Sequence, residues 1–243
     1  MNGFQTIAYE KDEGGVARLT LNRPDVLNAV DLQMRDELWT AFEAFRDDPD
    51  ARVLILRGAG RAFSAGADIA DFGTAPSYIE ARRARRERDL WGLLLHLPKP
   101  VIAAMHGYAL GAGCEMSLLC DLRVASEDAR FGLPEVSLGY IPSAGGTQTL
   151  PRTVPPGVAL HMILSGDPID AAEAHRVGLV HRVVPRDELD NAAGAWARTL
   201  AKRSPQALAY AKEAVLRGLD LSLSDGLALE GRLAGSLRLT PRV

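Results

Sequence analysis

Cysteine is scarce in this chain: among 243 residues only Cys114 and Cys120 occur. They form no CxxC pair, so neither a disulfide framework nor a zinc site is expected, and a reducing compartment fits. An excess of one charge is missing too. With 28 Lys and Arg against 31 Asp and Glu the formal charge is −3. That balance argues against a domain held to nucleic acid or to an anionic membrane by bulk electrostatics. No long hydrophobic run is present. The most apolar stretch, Val101 to Cys120, is interrupted by His106 and Glu115 and diluted by Gly107, Gly111 and Gly113, whereas a membrane helix needs about 20 mostly apolar residues. Met1 to Asp12 lacks the apolar centre of a signal peptide. A cytoplasmic protein is expected. Several familiar signatures are absent as well. Met116 stands where GxGxxG needs glycine, no P-loop lysine occurs, and Ala62 and Ile141 break GxSxG around Ser64 and Ser143. There is no HExxH, and His106 reads as a satisfied core histidine.

What is present is ordinary globular material. Hydrophobic residues at 47% and charged residues at 24% exclude a disordered chain, which could not bury enough apolar surface to offset ordering. Thr6 to Lys11 and Val16 to Leu21 read as strands around the turn Glu13-Gly14-Gly15. Asn22-Arg23-Pro24-Asp25 breaks the pattern. Asp31 can cap a helix with Met34, Leu38, Phe42 and Phe45 on one face, ended by Pro49. Val53 to Leu56 is a continuous apolar run, suited to a strand buried on both faces. A helix is expected from Ile79 to Leu97, strands at Pro100 to Ala104, Leu122 to Ala125 and Val180 to Val184, and a helix from about Cys114. Asp170 and Glu173 have capping-box spacing, and Pro205 suits a helix's first turn. Strands and helices alternate early and helices dominate late, which predicts one α/β domain with a helical C-terminal region. The run Arg82, Arg83, Arg85, Arg86 and Arg88 reads as a solvated helix face, with contact to an anionic ligand as the alternative.

Two carboxylates stand out by their settings. Glu115 follows a glycine-rich stretch and precedes Met116, Leu118 and Leu119, and Glu135 lies in Phe131-Gly-Leu-Pro-Glu-Val136. Such groups can be loop or helix-end carboxylates that satisfy backbone N–H groups. They can also be an acid/base pair, because burial lets one hold a proton while the other stays ionised. Ala65-Gly66-Ala67 and Gly111-Ala112-Gly113 permit close backbone approach to a ligand, and two N–H groups from them could hold one developing oxyanion. The alternative is that these glycines serve only turning and packing.

The segments Ala62-Phe-Ser-Ala-Gly-Ala-Asp-Ile69, Pro98-Lys-Pro-Val-Ile-Ala-Ala104, Gly107-Tyr-Ala-Leu-Gly-Ala-Gly-Cys-Glu115, Phe131-Gly-Leu-Pro-Glu135 and Ala144-Gly-Gly-Thr-Gln148, with Ile141-Pro142, occur in order. Together they resemble the enoyl-CoA hydratase/isomerase (crotonase) superfamily, and weaker matches run from Leu21-Asn-Arg-Pro24 to Gly178-Leu-Val180. The resemblance implies an α/β crotonase-like (ClpP/crotonase) spiral of ββα units. It implies a single domain over 1–243, with a core over about 1–190 and a C-terminal helical region over about 191–243 that is short for the family. It implies an acyl-CoA substrate, with coenzyme A part of the thioester and no metal or further cofactor, and assembly as a homotrimer or a hexamer of two trimers. The implied activity is reversible hydration of a 2-enoyl-CoA to the 3-hydroxyacyl-CoA. An enoyl-CoA double-bond isomerase or a specialised hydratase of the same fold is the alternative, and a non-catalytic acyl-CoA or RNA-binding member comes last. Carried over residue by residue, the oxyanion donors are the N–H groups of Ala67 and Ala112, and the working carboxylates are Glu115 and Glu135. The CoA contacts are Val26, Ala65, Ala67, Asp68, Ile69, Leu110 and Gly111. Ser143 in place of a usual glycine, and Leu133 in place of a polar residue, set this chain apart from the pattern.

Overall fold

The structure, a computed structural model, describes residues 3–71 and 88–237. The chain opens as an antiparallel hairpin, β1 (Ile7–Lys11) and β2 (Val16–Leu21), in the register Ile7 opposite Leu21. A single 3-10 turn over Pro24–Val26 leads to α1 (Leu32–Asp47). Asp31 caps this helix as expected: its Oδ1 accepts from the Met34 N–H at 2.7 Å. Met34, Leu38, Phe42 and Phe45 all lie on the buried face.

Four further strands extend the sheet in parallel: β3 (Val53–Gly58), β4 (Val101–Met105), β6 (Leu122–Ser126) and β9 (Arg182–Val184). The order is β1-β2-β3-β4-β6-β9. The apolar run at 53–56 is explained by what covers it. Leu54 and Leu56 face the core that includes α1, while Val53 and Ile55 face a second core with Leu189, Ala193 and Ala197 of α7 (Leu189–Ala201). A strand buried on both faces has no polar side to alternate with.

A second, small sheet carries β5 (Tyr108–Leu110), β7 (Arg130–Gly132) and β8 (Ile169–Asp170), in the order β5-β7-β8. None of these short strands was expected from the sequence. Three residues are too few to show a period of two. Each of the first two follows closely on the C-terminal end of a main-sheet strand, β4 or β6. After β5, α3 (Ala112–Leu118) begins, two residues earlier than the sequence suggested, with all seven residues buried.

Of the helix expected over 79–97, residues 79–87 lie outside the described residues, and with them Arg82, Arg83, Arg85 and Arg86. The remainder forms α2 (Leu90–Leu95), and Arg88 pairs with Asp36 at 2.8 Å. The later helices are α4 (Gly146–Thr153), α5 (Pro156–Ser165) and α6 (Ala171–Arg176), then α8 (Pro205–Gly218) and α9 (Leu223–Ser236). Asp170 caps α6 through the Glu173 N–H at 2.8 Å, but the Glu173 carboxylate binds Arg176 instead of returning to the cap. The expected capping box is therefore half formed, because an arginine one turn on offers a charged partner. Pro205 opens α8 behind a Ser204 cap, as expected. Lys212 of α8 ties this region to the core through Asp121 at 2.8 Å. Among the described residues no helix is long and apolar enough to cross a membrane.

Candidate active site

Two backbone segments meet beside β5. After β3, Ser64 bridges Ala109 of β5: its N–H donates to Tyr108 O at 2.9 Å, and its carbonyl accepts from the Leu110 N–H at 3.0 Å. The chain then turns at Gly66 (φ 109°), where a Cβ would stand 3.0 Å from Leu110 O and 3.6 Å from the Ala112 nitrogen. Only glycine allows both the turn and this approach. Ala67 forms a lone parallel bridge with Val30. The Val30 N–H donates to Gly66 O at 2.8 Å and the Asp68 N–H to Val30 O at 3.0 Å. Since residues 66 and 68 supply both bonds, the N–H of Ala67 points away from Val30.

The facing segment is the start of α3. Gly111 (φ 49°) donates its N–H to Gly132 O at 2.9 Å, so β7 fixes the point where the helix begins. Ala112 is the first helical residue, and its N–H has no intrahelical partner. Gly113 lets the helix press on the first segment, since a Cβ there would meet the Ser64 Cβ and carbonyl oxygen at 2.7 Å. The N–H groups of Ala67 and Ala112 therefore lie on neighbouring segments, neither used by the described backbone bonding.

One helical turn on, Glu115 is 2% exposed. Its Oε1 accepts two N–H bonds, from Ala144 and Gly146, each 2.8 Å long. Burial pushes this carboxyl above its ordinary range, and the Gly146 and Ala144 donors oppose that shift. Glu135 arrives from a 3-10 turn over Pro134–Leu138. Its Oε1 lies against Gly111, where an added Cβ would meet it at 3.0 Å. Its Oε2 is buried and, among the described residues, accepts no hydrogen bond. Burial pushes Glu135 up to about 7, its own backbone N–H opposes the shift, and the charge of Glu115 adds to it. Leu133 is fully buried and contributes to the apolar setting. Cys114 is pushed up to about 12 by burial, which makes it an inert thiol.

The residues assigned to CoA contact follow the same segments. Ala65 donates its N–H to Leu27 O at 2.9 Å, which brings 65–69 beside Val26. Val26 and Ile69 are exposed, Asp68 is half-buried, and Leu110 and Gly111 adjoin Gly66. Ser143 is exposed, directly before the Ala144 donor. Among the described residues no three His, Cys, Asp or Glu side chains gather as a metal ion would require. The sequence did not single out the donors Ala144 and Gly146. Their segments were visible as matching stretches, but a hydrogen bond over some thirty residues of chain leaves no mark in a sequence.

Two carboxylates close enough for the charge of one to raise the pKa of the other, and two main-chain N–H groups unused by the described backbone bonding, gather on one edge of the α/β core. The family model described as enoyl-CoA hydratase/isomerase matches residues 11–240. A probable enoyl-CoA hydratase of Mycobacterium tuberculosis is 44% identical over 233 residues, covering 95% of this chain and 88% of that protein. The 2,3-dehydroadipyl-CoA hydratase of Escherichia coli is 43% identical over 225 residues, covering 93% and 88%. The crystal structure of an enoyl-CoA hydratase subunit from Geobacillus kaustophilus superposes with a TM-score of 0.90 at 41% identity, covering 95% and 88%. This chain belongs to the enoyl-CoA hydratase/isomerase family.

Proposed function

We propose that this protein reversibly adds water across the double bond of a 2-enoyl-CoA thioester, giving the 3-hydroxyacyl-CoA. The observation that carries this reading is the pairing of unlike carboxylates. Glu115 is fixed by two N–H donors, while Glu135, with a bare buried oxygen, titrates near 7. One can act as a base while its neighbour still holds a proton.

The thioester oxygen sits between the N–H groups of Ala67 and Ala112. As water attacks the β-carbon, electron density moves through the double bond onto that oxygen, and the two donors stabilise the enolate. Losing one such donor costs on the order of 3–4 kcal/mol in comparable sites. Glu115 and Glu135 together orient the water, and Glu115 takes its proton. Glu135 delivers a proton to the α-carbon, so the product gains one H and one OH. Val26, Ala65, Asp68, Ile69, Leu110 and Gly111 hold the CoA portion along the edge already described. These steps call on no metal or further cofactor.

The chain acts as one domain, and a trimer or a pair of trimers accounts for the exposed Leu219, Leu223 and Leu227 of the C-terminal helices. A cytoplasmic setting fits two unpaired, buried thiols.

Crotonyl-CoA tests the reading. Its conjugated absorbance should fall on mixing with pure protein, and the product should be heavier by one water. Unchanged absorbance across short, branched and aromatic 2-enoyl-CoA substrates would overturn hydration. Conversion of a 3-enoyl-CoA without water uptake would establish the isomerase instead.

A further inference from the structure

Three backbone hydrogen bonds set the register of the Ala67 segment against 27–30: Ala65 N–H to Leu27 O, Val30 N–H to Gly66 O and Asp68 N–H to Val30 O. The Val30–Ala67 bridge itself stands outside every strand. Register matters here because successive N–H groups of an extended segment point to opposite sides. A slip of one residue would turn the Ala67 N–H toward Val30 and remove it from the site.

Arg23 spans this bridge. Its Nη1 donates to Ala29 O at 2.6 Å and to Asp68 Oδ2 at 2.9 Å, and its Nη2 lies 3.2 Å from Asp31 Oδ2. The guanidinium thus grips both neighbours of Val30 on one segment and the neighbour of Ala67 on the other. Its own root is fixed, since the Arg23 N–H donates to Asn28 Oδ1 at 2.9 Å and the Asn28 N–H returns to Arg23 O at 2.9 Å. Asp31 also caps α1 through its other oxygen, which refers the clamp to a 16-residue helix. The side chains of Arg23, Asp31 and Asp68 are only 23%, 19% and 18% exposed, so the ion pairs are partly shielded from water. A planar fork can hold three acceptors in fixed directions, and the point charge of a lysine cannot.

We propose that Arg23 is a positioning residue: it locks the register of the Val30–Ala67 bridge and so aims the Ala67 N–H at the thioester oxygen, touching no substrate itself. The identity of the ligand rests on the hydratase reading; the clamp does not.

The test compares the parent protein with Arg23→Met, which removes the fork, and Arg23→Lys, which keeps the charge. Without ligand, hydrogen–deuterium exchange over 62–70 should quicken in both variants while exchange in α3 stays as it was. With saturating 4-(dimethylamino)cinnamoyl-CoA, a push–pull thioester whose absorption moves to the red when its carbonyl is hydrogen-bonded, the red shift should shrink. On a turned-over substrate, kcat should fall about 10²-fold, the scale of an ångström of misplacement, while KM changes far less. Arg23→Lys should recover only a minor part. Unchanged local exchange with a full red shift in Arg23→Met overturns the proposal. So does a lower kcat with a full red shift and faster exchange throughout the chain, which is general destabilisation. A parent that neither hydrates nor shifts the chromophore fails the hydratase reading instead. Exchange over 62–70 then decides the clamp alone: local quickening in Arg23→Met supports it, and no change overturns it.

Discussion

Glu115 sits in the first turn of a helix with every residue buried, and its Oε1 takes two backbone donors. Glu135 sits in a 3-10 turn with no buried residue, yet its Oε2 is enclosed and accepts no hydrogen bond from the described residues. The more deeply buried carboxylate is thus the better satisfied one. Hydrogen bonds to the charged form lower a pKa, and burial without them raises it. Position is secured at Glu115 and protonation is tuned at Glu135, and the same side chain serves both because the environments differ.

The strongest way to break this contrast is to remove each carboxylate without removing its shape. Glu115→Gln keeps an oxygen for Ala144 and Gly146, and Glu135→Gln fills the same space. Both should retain the fold by circular dichroism. Each should lower kcat for hydration by about 10²–10⁴-fold, the contribution of a positioned acid or base. Near-normal turnover by either variant would refute the two-carboxylate mechanism.

The pH profile sharpens the contrast next. In the proposed mechanism the forward reaction needs Glu135 protonated, so kcat/KM, which reports the free enzyme, should decline as pH rises through about 7. Stability carries the same signature. The Glu135 pKa is raised from 4.5 to about 7 on folding, so the unfolded chain ionises first. Its contribution to stability is fully present below about pH 4.5 and is lost as pH rises through about 7. Glu135→Gln removes that loss. Its melting temperature should exceed the parent's at about pH 8 and match it near pH 4, and equal differences at both values would deny the shift.

Two glycine substitutions give smaller effects that differ in their reach to catalysis. At Gly146 a Cβ would meet Glu115 Oε1 at 2.9 Å and Pro142 Cβ at 3.0 Å. Gly146→Ala should therefore displace the secured carboxylate, lowering kcat by about tenfold or more and stability by about 1–3 kcal/mol. Gly139 ends the Glu135 turn at φ 76° with open space around it. Gly139→Ala should cost only the left-handed strain, about 1–2 kcal/mol, and leave kcat close to the parent's. Enzyme assays paired with urea melts would separate the two. A catalytic defect in Gly139→Ala alone would reverse the expected order.

How much of this could be read beforehand differs from element to element. The helix from Asp31 and the apolar strand at 53–56 were legible because their patterns are local: a cap, a repeat of 3.6 residues, an unbroken run. The strands at 108–110, 130–132 and 169–170 were not, since their pairing depends on segments distant in the chain. In the site, Glu115 and Glu135 stood out as carboxylates in apolar company, and the resemblance brought in Ala67 and Ala112. Arg23 enters the sequence reading only as part of a break before α1 and of the weaker matching stretch Leu21-Asn-Arg-Pro24.

The sequence alone determined which residue types and local elements were available, because propensity, capping and hydrophobic period act over a few neighbouring residues. It also determined the family, through motifs preserved in order. Tertiary structure alone decided which carboxylate is satisfied and which is bare, which N–H groups are left free, and which arginine spans the bridge beside one of them. Those outcomes depend on distances between segments far apart in the chain, where burial and charge act through space.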